Sequence, residues 1–173
     1  MKLFPANIKD LRTLYIDQLR KALDLEQKIT RALPTMIEKT TDSELAEAFT
    51  NHLEETRSHV AIVESLLNDL IGEASTSTCK VIGALVSETE DAIEDVTDPA
   101  VRDVVLIGSA QQVEHHEIAV YGTLRNWAEI LGLDDHATRL EVILEQEKTA
   151  DKTLTAISDS VNTLAEADTP VHA

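Results

Sequence analysis

The sequence predicts an all-α protein in which two antiparallel hairpins of long helices form a four-helix bundle and an additional short helix lies between the hairpins. Only 5 glycines, 4 prolines and 3% aromatic residues occur among 173 residues, too few for the many turns of a β protein. Apolar residues recur at helical spacing along four long segments. The length fits one domain spanning 1–173, with a core at about 8–165 and a short acidic C-terminal tail.

The first helix is predicted to begin near Asn7, an N-cap residue that places Asp10 in an acidic first turn. An apolar series from Leu11 to Leu33 follows at a spacing of three to four residues. Pro34 is expected to kink or end this helix, because proline lacks the backbone N–H group that the helix needs.

The second helix is predicted to open at Thr41, which forms a capping box with Glu44 three residues later. Its apolar stripe runs from Leu45 to Leu70. Gly72 is expected to end it, since glycine adopts the left-handed conformation that commonly closes a helix.

The later helices also carry start and stop signals. After the polar segment EASTST, a shorter helix is predicted from about Lys80 to Val96. Asp98 before Pro99 is a strong start signal for the fourth helix, which is expected to run to Gly132.

The last helix is predicted to be capped by Asp134, with Pro170 in the tail beyond it. Short links join helices 1 and 2, and helices 4 and 5, which predicts two antiparallel hairpins. About 25 residues separate the pairs, enough to cross the length of a bundle. This arrangement is a ferritin-like four-helix bundle. An ordinary up-down bundle with a fifth helix packed outside is the alternative.

The charge balance indicates which partners to expect. The chain carries 32 acidic and 15 basic residues, a formal charge of −17, which disfavours nucleic acid and anionic membranes and favours cations as partners. A single cysteine, Cys79, offers neither a disulfide framework nor a zinc ribbon. No apolar run is long enough for a membrane span or a signal peptide, so we expect a cytoplasmic protein.

Each long helix carries acidic residues on its apolar stripe. The numbers of residues between these acids and the two hairpin turns are similar, so the acids are expected at about the same level along the bundle. Buried carboxylates at one level repel each other unless protons or cations neutralise them, and carboxylate-rich sites with some imidazole suit iron or manganese. The residues predicted to hold two such ions are Glu26, Glu55, His59, Glu114, Glu117, Glu147 and Asp151. In the alternative interpretation these side chains reach the bundle surface.

Two details of this set stay open. His52 and His59 both share a face with Glu55, so either could be the imidazole ligand of helix 2. Tyr121 could donate a hydrogen bond to a ligand or simply fill the core.

The segments LRTLYIDQLRKALDLEQKITRALPTMIEK, ELAEAFTNHLEETRSHV, VEHHEIAVYGTLRNWAEILG and ILEQEKTADKTL resemble the YciE/YciF family of ferritin-like bacterial stress proteins. The resemblance implies a homodimeric ferritin-like bundle, similar to rubrerythrin and the bacterial ferritins, that acts in a stress response. The ferritin-like pattern includes a glutamate on helix 1, and Glu26 matches it. On helix 4, Glu114-x-x-Glu117 is similar to the rubrerythrin arrangement. The expected Glu-x-x-His motifs are absent from this chain.

The functional hypothesis is a dinuclear iron or manganese site in which Glu55 and either Glu114 or Glu117 bridge the ions. Such a site would oxidise its metal with oxygen or peroxide, and no catalytic residue is assigned. The competing hypothesis is a metal-free helical module for dimerisation or partner binding in a stress response.

Overall fold

The fold is built entirely from helices in a computed structural model that describes residues 8–167. No strand occurs in this part of the chain, which confirms the predicted all-α class. Asn7 and the tail around Pro170 lie outside the described residues. The five helices are α1 (Leu11–Lys39), α2 (Ser43–Ile71), α3 (Lys80–Asp95), α4 (Pro99–Ile130) and α5 (Asp134–Ala167).

The limits of α1 differ from the prediction. Asp10, not Asn7, is the N-cap residue, and its carboxylate accepts a hydrogen bond of 2.8 Å from the amide of Thr13. Pro34 does not end the helix. It is exposed and removes only one backbone hydrogen bond, while the buried side chains of Leu33 and Met36 hold the last turns in the core.

The cap of α2 also corrects the prediction. Asp42 caps this helix through hydrogen bonds from the amides of Glu44 and Leu45, at 3.0 and 2.9 Å. Thr41 instead donates its amide and its hydroxyl group to the carboxylate of Asp103 near the start of α4. The turn between α1 and α2 is therefore fixed to the beginning of α4.

The remaining helix ends lie close to their predicted positions. Gly72 closes α2 with a φ of 75°, and Asp98 caps α4 ahead of Pro99, as predicted. Asp134 is the first residue of α5 rather than its cap, because the amide of Ala137 already bonds to the carbonyl of the residue before Asp134.

The order of the helices follows from their contacts. The chain neighbours α1 and α2 pack together, as do α4 and α5, and the two hairpins meet through α1 with α4 and α2 with α5. The bond from Thr41 to Asp103 joins the end of α1 to the start of α4, and the contact of 3.2 Å between Tyr15 and His136 joins the starts of α1 and α5. All neighbouring long helices are therefore antiparallel, and α3 packs on α1 and α4 within the long crossover.

The apolar core is divided into two parts. One cluster surrounds Phe49 and Leu106 at the end of the bundle where α4 starts, and the other surrounds Tyr15 and Leu140 at the opposite end. Between them lies a layer of buried polar side chains. Across residues 8–167, no helix combines the length and the apolar character that a membrane span requires.

Candidate metal centre

The layer between the two apolar clusters consists of six buried ionisable side chains, contributed by all four long helices. Four are carboxylates and two are imidazoles, and none exposes more than 7% of its surface. They are Glu26 of α1, His52 and His59 of α2, Glu114 and Glu117 of α4, and Glu147 of α5.

One group of donors lies between α1, α2 and α5. Glu26, His59 and Glu147 each offer an atom within 4.8 Å of the others. The Nδ1 atom of His59 lies 3.0 Å from Oε1 of Glu147 and 3.7 Å from Oε2 of Glu26. A cation held here would be surrounded by two carboxylates and one imidazole.

A second group lies on the side of α4. His52, Glu114, Glu117 and Glu147 also offer atoms within 4.8 Å of one another, and Nε2 of His52 lies 3.4 Å from Oε1 of Glu114. Glu147 belongs to both groups, so its carboxylate could bind a cation in either of them.

Most of the donor atoms in this layer have no hydrogen bond. Buried polar groups are normally paired, because an unpaired one costs about 1–3 kcal/mol. The atoms without a hydrogen bond among the described residues include one oxygen each of Glu26 and Glu114, both oxygens of Glu117 and Glu147, Nδ1 of His59 and both ring nitrogens of His52. Of these, Nδ1 of His59 and Oε1 of Glu147 lie 3.0 Å apart, where they form an ion pair. Such a concentration of atoms without hydrogen bonds is expected of a site whose partners are ions.

The pKa values of the layer reflect its isolation from water. Burial raises the pKa of Glu114 to about 10, and the nearby charge of Glu147 adds to the rise. Burial also raises the pKa of Glu117 well above its ordinary value and raises that of Glu26. Protons therefore neutralise part of this layer at pH 7.

The two imidazoles respond differently to their surroundings. Burial lowers the pKa of His52, which keeps this ring neutral. Burial alone would also lower the pKa of His59, but its contacts with Glu147 and Glu26 raise it to about 10. Burial would raise the pKa of Glu147, yet contact with His59 lowers it. Glu147 and His59 therefore form a buried ion pair.

Hydrogen bonds from outside the layer orient two of its members. The hydroxyl group of Tyr121 donates to Oε1 of Glu26. Nε2 of His59 lies 3.0 Å from Oε1 of Gln146, an acceptor, so Nε2 carries a proton and Nδ1 faces Glu26 and Glu147. Ligating imidazoles are commonly oriented by a partner on the opposite ring nitrogen.

Two residues of the predicted set lie outside both groups. Glu55 lies at the flank of α2, where 41% of its side chain is exposed and its Oε2 is 4.0 Å from Nδ1 of His52. Asp151 faces α4, where it lies 3.4 Å from both Nε2 of the exposed His115 and Nε2 of Gln111. The other five predicted residues are brought together, and His52 joins them.

Helical phase explains the position of Glu55. His52, Thr56 and His59 are spaced four and three residues apart, so they form the inner stripe of α2, and Glu55 lies beside that stripe. Thr56 occupies the position three residues before His59 where a Glu-x-x-His motif would have its glutamate, and its hydroxyl group bonds to the carbonyl of His52. Gln146 carries no sequence signal beyond its place beside Glu147.

Comparisons with known proteins agree with this fold. Residues 10–166 match the family described as "Domain of unknown function (DUF892)". Protein YciF of Escherichia coli K12 is 35% identical over 162 residues, which is 92% of this chain and 98% of that protein.

Two solved structures are also similar over most of their length. The E. coli stress protein YciF has a TM-score of 0.86 and 33% identity over 90% of this chain and 99% of its own. YcfI from Rhodopseudomonas palustris has a TM-score of 0.85 and 37% identity over 88% of this chain and 98% of its own. The resemblance to the YciE/YciF family is thereby confirmed.

Proposed function

The chain belongs to the family described as Domain of unknown function (DUF892), and from this premise and the buried donor set we propose that it binds two divalent iron or manganese ions. Glu26, His59 and Glu147 would hold one ion, and His52, Glu114 and Glu117 would hold the other, with Glu147 shared between them.

The composition of the donor set carries this proposal. Four carboxylates provide four negative charges, which two divalent cations balance, and two imidazoles complete the set. Carboxylate-bridged iron and manganese sites in four-helix bundles also consist of four glutamates and two histidines. In those sites the donors are distributed differently over the helices. Oxygen and nitrogen donors without thiolate suit these metals.

Bound iron or manganese would supply redox chemistry toward oxygen or peroxide. The chain's own residues prepare the site for it. Tyr121 holds its proton toward Glu26, and Gln146 orients His59 so that Nδ1 faces the carboxylates. The two apolar clusters above and below the layer limit its contact with water, which strengthens the attraction between carboxylates and cations.

A cavity between α2 and α5 that has acidic residues in its lining offers a path for cations. Its volume is about 210 Å³, and its lining includes Glu55 at the outside and His52 and Glu114 at the inside. We assign Glu55 and Asp151 to the rim of the centre, where their charge attracts cations from solution.

The relatives suggest a biological setting. The E. coli homologue is described as a stress protein. We propose that this chain likewise acts in a stress response, where controlled oxidation of iron or manganese would serve oxidative-stress defence or iron handling. The homodimer implied by the sequence resemblance remains a prediction, which light scattering of the purified protein tests.

Metal analysis of anaerobically purified protein tests the proposed site. We expect about two ions per chain, as donor sets of this kind bind, and loss of metal in Glu147→Gln. The matched control is Glu145→Gln, an exposed glutamate on the same helix. Sub-stoichiometric metal that is equal in both variants would contradict the proposal and favour the metal-free interaction module.

A further inference from the structure

A second cavity reaches the polar layer from the opposite side of α2. It lies between α1, α3 and α4, has a volume of about 310 Å³, and ends at His52 and Glu114. Its size falls at the lower end of the range of small-molecule sites.

The walls of this cavity are mainly apolar. Ile29, Leu33 and Met36 of α1 face Ile93 of α3 and Val113 of α4 across it. Apolar cavities of this kind bind apolar molecules, since water inside them finds few hydrogen-bond partners. The walls therefore favour a hydrocarbon chain over a sugar or a nucleotide.

The mouth of the cavity, unlike its walls, has charged side chains. Two basic residues, Lys28 and Arg31, stand there with one acidic residue, Glu90, in a protein whose formal charge is −17. Lys28 pairs with Asp24 at 2.6 Å. Arg31 is exposed and makes no ion pair within residues 8–167, so its guanidinium is free for an anionic group.

We propose that this cavity binds an aliphatic carboxylate, with its carboxylate at Arg31 and its hydrocarbon chain directed inward toward His52 and Glu114. Guanidinium and carboxylate form charge-assisted hydrogen bonds of matching geometry. An anionic amphiphile is repelled by the acidic surface, and the attraction at this mouth comes from Arg31, because Asp24 already pairs with Lys28. That the hydrocarbon chain of the ligand ends near metal ions rests on the proposed function. Binding of the ligand in the cavity does not.

The experiment is a calorimetric titration with decanoate of the full-length protein, both as purified and after removal of metal with a chelator. We expect Arg31→Glu to weaken decanoate binding about fivefold or more, as expected for loss and reversal of one ion pair. The matched control is Arg12→Glu, which changes an exposed arginine of the same helix outside the cavity. Decan-1-ol, measured by its effect on the melting temperature, should be insensitive to both variants.

A cavity-filling variant and a spectroscopic measurement give independent checks. Ala32→Phe places a ring in the cavity from a partly exposed position and should abolish binding of both decanoate and decan-1-ol. Nuclear Overhauser contacts should join the terminal methyl group of decanoate to the ring of Phe49, which lines the inner part of the cavity.

Absence of decanoate binding to the wild-type protein would overturn the proposal, and so would equal effects of Arg31→Glu and Arg12→Glu. Because the titration is also done on metal-free protein, a failure of this proposal is separate from a failure of the metal centre. If the protein contains two metal ions but does not bind decanoate, only the carboxylate-binding proposal is rejected. If it binds decanoate but contains no metal, only the metal-centre proposal is rejected.

Discussion

The hydroxyl group of Tyr121 donates a hydrogen bond to the carboxylate of Glu26 in the interior of the bundle, where neither side chain is exposed. The bond joins α4 to α1 at the level of the polar layer. It also leaves the second oxygen of Glu26 without a partner, on the side that faces His59. The tyrosine thus positions a candidate ligand while the ligand atom itself stays available.

Tyr121→Phe should lower both stability and metal affinity. Removing the donor leaves a buried carboxylate oxygen unpaired, which should reduce the free energy of unfolding by about 1–3 kcal/mol. Loss of an orienting partner should weaken metal binding roughly tenfold or more. Urea denaturation and titration with Mn²⁺ measure the two effects.

Tyr15→Phe provides the control for this substitution. Tyr15 is equally buried but contacts His136 at the end of the bundle, far along the helix from the polar layer. We expect it to reduce stability with metal affinity unchanged. Equal losses of affinity in the two variants would reject the positioning role of Tyr121.

Metal binding should release protons at pH 7. In the metal-free protein both Glu114 and His59, each with a pKa of about 10, hold a proton, whereas a metal ligand must be unprotonated. The affinity for Mn²⁺ should therefore rise as pH increases from 6 to 8, by about tenfold per pH unit for each proton released. Calorimetry in two buffers of different ionisation enthalpy counts the protons, and a binding heat that is independent of the buffer would contradict this prediction.

Glu117→Leu should make the metal-free protein more stable and abolish the stabilisation by metal. Both oxygens of Glu117 are buried without hydrogen bonds, so an apolar side chain of similar volume should raise the free energy of unfolding by about 1–4 kcal/mol. The exposed Glu88 of α3 gives a control for the same exchange, Glu88→Leu, which should change neither property by more than about 0.5 kcal/mol. Thermal unfolding with and without Mn²⁺ separates the effects. A less stable metal-free Glu117→Leu protein would show that the carboxyl group stabilises the fold.

His52→Ala and Glu55→Gln should affect metal binding differently. His52 is buried within a donor group, so its removal should reduce the bound metal from two ions to about one, the number left to the other group. Glu55 lies at the rim, so Glu55→Gln should slow metal uptake and leave the final amount unchanged. Stopped-flow uptake and metal analysis measure these quantities. The reverse pattern would favour the sequence hypothesis in which Glu55 bridges the ions.

The sequence predicted the fold because its signals were repeated along each helix. Apolar spacing and the caps at Gly72 and Asp98 defined the helices, and link lengths defined the hairpins. The same helical phase placed Glu26 and Glu147 in the interior, because apolar residues of the stripe flank each of them within two turns on either side.

The features that sequence reasoning missed depend on contacts between distant residues. Thr41 was predicted to cap α2 because its spacing to Glu44 fits a capping box, but Asp103 of α4 binds Thr41 and leaves Asp42 as the cap. Glu55 lies only about 60° around the helix from His52 by the 100° step per residue, a difference that spacing alone does not resolve. The choice of Gln146 as partner of His59 likewise depends on how α2 and α5 meet.

The position of bound metal tests the central proposal most directly. Crystals of protein loaded anaerobically with Mn²⁺, measured at a wavelength where manganese scatters anomalously, should give two peaks in the polar layer. One peak should lie within coordination distance of Glu26, His59 and Glu147, and the other within coordination distance of His52, Glu114, Glu117 and Glu147. Peaks confined to the exposed acids, or an absence of peaks between the two apolar clusters, would contradict it.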